Sequence, residues 1–231
     1  MNTQVCFVTA TDTDAGKTVV SSALLHRGMM QGKTTLGLKP VAAGASRTPD
    51  GLRNEDACSL MEASTVKLPY AQVNPVCLEP AVAPHIAAAR AGLDIPVDKL
   101  ATAVARTLDT VKPDLALVEG AGGWRVPLND REDLSALAIR LQLPVILVVN
   151  LRLGCLSVAR LTAEAIVRDG GVLAGWIGNH STPDVMSEEQ ANLDTLVRVL
   201  PAPCLGVLPF TPSPMARLDD LAGCLRWPGE A

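Results

Sequence analysis

The chain has 231 residues, enough for one α/β domain with a substantial core. Apolar residues make up 48% and charged residues 19%, which excludes a disordered chain. The net charge of −4 gives no reason to expect a nucleic acid or an anionic membrane as partner. Six cysteines (Cys6, Cys58, Cys77, Cys155, Cys204, Cys224) are scattered without a CxxC pair. That pattern argues against zinc or a redox dithiol and predicts reduced thiols in a cytoplasmic protein. Met1-Asn2-Thr3-Gln4 lacks the basic and apolar regions of a signal peptide. The longest apolar run, Leu143 to Val149, is too short to span a bilayer.

In chain order, the apolar run Val5–Val8 precedes a helical pattern from Lys17 to about Met30. Further apolar runs occupy 115–118, 145–149 and 172–177, and a last short one spans Cys204 to Leu208. Helical patterns separate them at roughly Asp130–Leu141, Ser157–Arg168 and Ser187–Val199. Runs without polar alternation suit strands buried on both faces, hence a parallel sheet. Their alternation with helices predicts a doubly wound, P-loop-like α/β fold. Residues 40–53, rich in Ala, Gly and Pro, read as one long functional loop. In such a sheet, ligands bind beyond the carboxyl ends of the strands.

Four segments at such ends carry chemistry. Ala10-Thr11-Asp12-Thr13-Asp14-Ala15-Gly16-Lys17-Thr18 follows a strand and opens a helix, as a P-loop requires. Its backbone N–H groups and the helix start would cradle phosphate. Lys17 would reach the β- and γ-phosphates, and the Thr18 hydroxyl would hold Mg²⁺. Ala10 stands where the pattern usually has its first glycine. In Val118-Glu119-Gly120-Ala121-Gly122-Gly123, an acidic residue ends a strand where a second Mg²⁺ group sits in P-loop enzymes. Lys39 ends a predicted second strand and could stabilise charge on a transferring phosphoryl group. A solvated surface lysine explains the same spacing. Asp56 could be another Mg²⁺ carboxylate, or simply an acid in the first turn of a helix capped by Asn54. Asn179 and Leu208-Pro209-Phe210 end later strands and could meet a nucleobase. The three histidines (His26, His85, His180) have no metal-ligand spacing.

Together these segments resemble the dethiobiotin synthetase family. The resemblance is carried by Phe7 to Thr18, Leu38 to Ala42 and Thr48 to Asp56, then by Val73-Asn74-Pro75 and Pro84-His85-Ile86. It continues through Val118 to Trp124, Leu153-Gly154-Cys155, Ala174 to Asn179 and Pro201-Ala202-Pro203. It covers residues 4 to about 210 and weakens in the proline-rich tail after Phe210. The resemblance implies that 7,8-diaminononanoate, CO₂ and ATP yield dethiobiotin, ADP and phosphate, with Mg²⁺ as cofactor and ATP as co-substrate. It implies catalytic roles for Thr13, Lys17 and Lys39, and metal ligation by Thr18, Asp56 and Glu119. ATP would be held by Asp14, Ala15, Gly16, Lys17, Thr18, Val19, Asp56, Glu119, Gly120, Ala121 and Gly122. Asn179, His180, Pro209, Phe210 and Thr211 would hold its base. Ala43, Gly154, Cys155 and Ser157 would bind substrate, Ala43 standing where the family often has a serine. A homodimer is implied, with the helix start at Gly154 serving the neighbouring subunit's substrate.

Two other readings compete. A cobyrinate-type ATP-dependent amidotransferase domain would need a glutaminase partner, and the chain ends without one. A nucleotide-switch ATPase would be expected to carry an early P-loop lysine and a basic C-terminal helix, and this chain shows neither.

Overall fold

The computed structural model describes residues 3–230; Met1 and Asn2, the start of the segment read against a signal peptide, lie outside the described residues. Its strands are β1 (Gln4–Ala10), β2 (Thr35–Leu38), β3 (Val41–Ala43), β4 (Ser46–Thr48), β5 (Gly51–Arg53) and β6 (Val76–Leu78). They continue as β7 (Leu115–Glu119), β8 (Val145–Asn150), β9 (Leu173–Asn179) and β10 (Cys204–Leu208). The helices are α1 (Lys17–Met30), α2 (Glu55–Ala63), α3 (Tyr70–Val73), α4 (Pro84–Arg90) and α5 (Val97–Val111). After them come α6 (Ser135–Arg140), α7 (Cys155–Arg168), α8 (Glu189–Val199) and α9 (Leu218–Gly223), the last preceded by a 3₁₀ turn at Pro214–Arg217.

Six strands form one parallel sheet in the order β10-β9-β8-β1-β7-β2. β7 and β8 and every residue in them are buried, as expected of strands covered on both faces. Alternation along β1 assigns its side chains to two cores. Phe7 packs with Leu36, Val118 and Leu147 on the face beneath α5, α6 and α7. Cys6, Val8 and Ala10 pack with Val20, Leu24 and Leu25 of α1 on the other. Because β1 lies between β7 and β8, the loops leaving the three strands open a crevice at their carboxyl ends. Among the described residues, no helix is long and apolar enough to cross a membrane.

The predicted doubly wound parallel sheet is therefore present, and two expectations are corrected. Residues 40–53 are not one loop: β3 pairs with β6, and β4 with β5. The helix expected from Asp130 begins at Ser135, because Leu128 and Asn129 fold back onto the Glu132 carbonyl first. The tail, where the resemblance weakens, is folded onto the body. α9 packs on α1, and the buried Trp227 indole donates to the Leu24 carbonyl at 3.0 Å.

Candidate active site

The P-loop follows β1 and wraps the N-terminus of α1. Gly16 caps the helix at φ 86°, a conformation larger side chains adopt only rarely, and a Cβ there would meet the Asn179 amide at 2.2 Å. Asn179, at the end of β9, donates to the Ala15 carbonyl at 2.9 Å and so braces the loop. The N–H groups of Lys17, Thr18 and Val19 have no intrahelical partner, as in any first helical turn, and face the cleft with the positive end of the helix dipole. Ala10 is an ordinary strand residue, fully buried, without the positive φ that would demand the missing glycine.

Beside the loop lies a cluster of four charges. Lys39, directly after β2, is 2% exposed, so the surface-lysine reading fails. Its ammonium donates to Glu119 Oε1 at 2.7 Å, to Asp56 Oδ2 at 2.9 Å and to the Gly120 carbonyl at 3.0 Å. The Thr18 hydroxyl donates to Glu119 Oε1 at 2.9 Å. Glu119 is fully buried at the end of β7, and its Oε2 has no hydrogen-bond partner. Asn54 does cap α2, accepting from the Ala57 N–H, and the same first turn aims Asp56 at Lys39. The first-turn reading of that segment therefore holds, and the same turn brings the Asp56 carboxylate to the cleft.

The electrostatics follow from this geometry. Burial pulls the Lys17 pKa down, and the neighbouring Lys39 pulls it further. Burial also acts against the charged form of Lys39, yet Glu119 and Asp56 more than offset it and leave that pKa raised. Desolvation pushes the Asp56 carboxyl up, and Lys39 outweighs it, so the net shift is downward. Lys17 Nζ makes no hydrogen bond to another described residue, although the residue is only 7% exposed. A nearly buried ammonium without a partner suits an anionic ligand.

A cleft of about 880 Å³ opens over this cluster. Of the expected site residues, it is lined by Thr13, Asp14, Gly16, Lys17, Thr18, Val19, Lys39, Ala43, Asp56, Ala121 and Gly122. The lining also includes Asn179, His180, Pro209, Phe210 and Thr211. Ala15, Glu119 and Gly120 lie behind this lining. Gly154, Cys155 and Ser157 do not line it. Gly154 is the N-cap of α7, without a side-chain bond, and the exposed Ser157 stands in its first turn. Residues that sequence reasoning gave no role are Ala42 and Ala81 to Pro84, an apolar wall near Lys39, together with Gly123, Val126, Ser181 and Pro214. Ala42 and Pro84 stand in segments that carry the resemblance, which implied no role for them; the pairing of β3 with β6 brings the two segments together.

The donors suit a hard cation. A hydroxyl and two carboxylates, with Glu119 Oε2 unsatisfied, are the oxygen donors a hard divalent cation such as Mg²⁺ prefers. Among the described residues no group of three His, Cys, Asp or Glu could hold a metal alone.

A family model described as an AAA domain matches residues 4–217. The ATP-dependent dethiobiotin synthetase BioD of Chromohalobacter salexigens is 55% identical over 97% of this chain and 98% of its own. Its namesake from Pseudomonas aeruginosa is 50% identical over 93% and 95% respectively. The chain belongs to the dethiobiotin synthetase family. It is accordingly an ATP-dependent ligase of biotin biosynthesis. Among solved structures, MinD from Pyrococcus horikoshii with Mg-ADP has a TM-score of 0.55 at 20% identity, covering 93% of this chain and 86% of that one. Chloroplast FtsY of Physcomitrella patens has 0.52 at 19%, covering 96% and 66%. These two likenesses concern the P-loop fold alone.

Proposed function

We propose that the whole chain acts as one carboxylase domain in the cytoplasm, closing the cyclic urea of dethiobiotin in the cleft described above. The observation that carries this reading is the convergence of Lys17, Lys39, Thr18, Asp56 and Glu119 at a cleft of about 880 Å³, roomy enough for a nucleotide. One amine of 7,8-diaminononanoate captures CO₂ as a carbamate. The carbamate oxygen attacks the γ-phosphorus of ATP, and ADP leaves. The second amine then attacks the carbonyl carbon of the mixed anhydride, the ring closes and phosphate leaves. No protein nucleophile is needed; positioning and charge stabilisation suffice.

Thr13, Lys17 and Lys39 surround the carbamate and the γ-phosphate. Asp14 to Val19, with the backbone from Gly120 to Gly122, wrap the triphosphate. Asn179, His180 and the Pro209–Thr211 segment hold adenine, and Ala43 with the apolar wall at 81–84 borders the diamine. Thr18, Asp56 and Glu119 would hold Mg²⁺, which would supply charge neutralisation for the triphosphate. All three protons of the Lys39 ammonium are already used, so contact with the carbamate requires one of those bonds to open. The substrate carboxylate is held at Gly154, Cys155 and Ser157 of a neighbouring subunit in a homodimer.

ADP release by the purified protein tests the reading. Release should require both 7,8-diaminononanoate and bicarbonate. ATP turnover indifferent to the diamine would remove it.

A further inference from the structure

The segment between Glu119 and Val126 is held in an unusual way. Its first residue after the strand, Gly120, is fixed three times: its N–H donates to the Val8 carbonyl at 2.9 Å, its carbonyl accepts from Lys39, and the Phe7 ring stands where a side chain would go. Beyond it, the N–H groups of Ala121 to Arg125 donate to no acceptor among the described residues. Ala121, Gly122 and Gly123 line the cleft, with Gly122 at φ 61° facing the Thr13 hydroxyl. A row of free N–H groups against a phosphate cleft is useful only if something holds it still.

What holds its far end is one carboxylate. Asp169 Oδ2 accepts from the Trp124 indole at 2.8 Å and from Arg125 Nε at 2.9 Å; Oδ1 accepts from Arg125 Nη2 at 2.6 Å. The Trp124 ring also packs edge-on against Phe7, 6.1 Å between centroids. Asp169 is the C-cap of α7. A carboxylate there faces the negative end of the helix dipole, so helix stability does not account for it. Its two partners sit 44 and 45 residues away, immediately after the glycines. Bidentate Arg–carboxylate geometry is stiff as well as strong, and the charge beside it keeps the Asp169 carboxyl below its ordinary pKa, with the Arg125 bond the largest cause.

We infer that Asp169 is a positioning residue for phosphoryl transfer: through Trp124 and Arg125 it sets where the free N–H groups of the 121–123 backbone stand. This rests on the reading of the cleft as the site of that transfer. The row acts on charge developing at the transferred group, so its displacement should cost turnover more than nucleotide binding.

Asp169→Ala tests this against ADP alone and against ADP with aluminium fluoride, a mimic of the transferring phosphoryl group. The expected result is a kcat lowered on the order of 10–100-fold, aluminium fluoride complex formation weakened in parallel, and ADP affinity within about threefold of the parent. Asp169→Asn, which keeps acceptors for the indole, should recover part of both losses. Equal weakening of ADP and of the mimic, or an unchanged kcat in folded Asp169→Ala, overturns the inference. Failure of the cleft reading itself would show differently, as diamine-independent ATP turnover in the parent protein.

Discussion

Lys39 shows what a single residue carries in this site. An ammonium taken out of water is tolerable only when its protons are all received, and Glu119, Asp56 and Gly120 receive them. Spacing along the chain gives no hint of this, because Glu119 lies 80 residues further on and reaches Lys39 only through the pairing of β2 with β7. Thr18 and Glu119 were legible, because each ends or follows a motif whose context alone implies its use. Lys39→Ala should lower turnover on the order of 10²–10³-fold, as does loss of one preorganised charge donor. ATP affinity should change less. Steady-state kinetics with equilibrium binding on the same preparation checks both, and a lysine without a catalytic contact would alter neither. Glu119→Gln removes one of the proposed oxygen charges, so half-maximal activity should need more Mg²⁺. An unchanged Mg²⁺ requirement in both Glu119→Gln and Asp56→Asn would reject the ligand assignment.

At the scale of elements, legibility follows burial. The bounds of α1 and β10 match the sequence reading, because an apolar run or a P-loop defines each of them. α5 is amphipathic and buries Val97, Leu100, Val104 and Thr107 at helical spacing, yet the sequence reading gave it no place. The strands β3 to β6 have three residues each, too few for periodicity to register; β4 and β5 form a local hairpin, whereas β3 and β6 pair across some thirty residues. The tail was equally opaque, since its proline content masks a single buried anchor. Trp227 fits against α1, the helix that begins with Lys17, while Arg27 and Gln31 of that region bond the Glu230 carboxylate. Trp227→Ala should therefore reduce unfolding free energy by about 3–5 kcal/mol. Trp227→Phe, which keeps most of the ring, should cost much less, about 1 kcal/mol for the lost indole hydrogen bond plus some packing. Urea denaturation compares the three, and equal midpoints for the parent and Trp227→Ala would mean that the tail does not strap α1.

At the scale of the whole molecule, one chain leaves part of its proposed site elsewhere. The α7 start carries Gly154 and the neighbouring Leu153, which is 90% exposed, and it is absent from the lining of the cleft. Gly154 adopts φ 96° with nothing within 4 Å of where a Cβ would stand, and although the Cys155 N–H donates to the Arg152 carbonyl, those of Leu156 and Ser157 have no backbone partner. Such groups suit a carboxylate, and the diamine substrate carries one at the far end of an apolar chain. A two-fold dimer would bring that carboxylate to the partner's α7 while the amines stay near Lys17 and Lys39. Mixing two inactive variants separates this arrangement from a site within one chain. Lys39→Ala disables the amine end. Gly154→Asp sets a carboxylate beside the free N–H groups, where it both caps them and repels the substrate. Asp tolerates left-handed backbone better than most residues, and a thermal unfolding profile of the variant confirms that it has folded. In a heterodimer of the two, one site combines both defects and the other keeps a native Lys39 with a native Gly154. Random re-association yields about half heterodimers, each with one intact site of two, so the mixture should regain roughly a quarter of parental activity. Absence of recovery after verified subunit exchange would place both residues in one chain's site, or remove Gly154 from it.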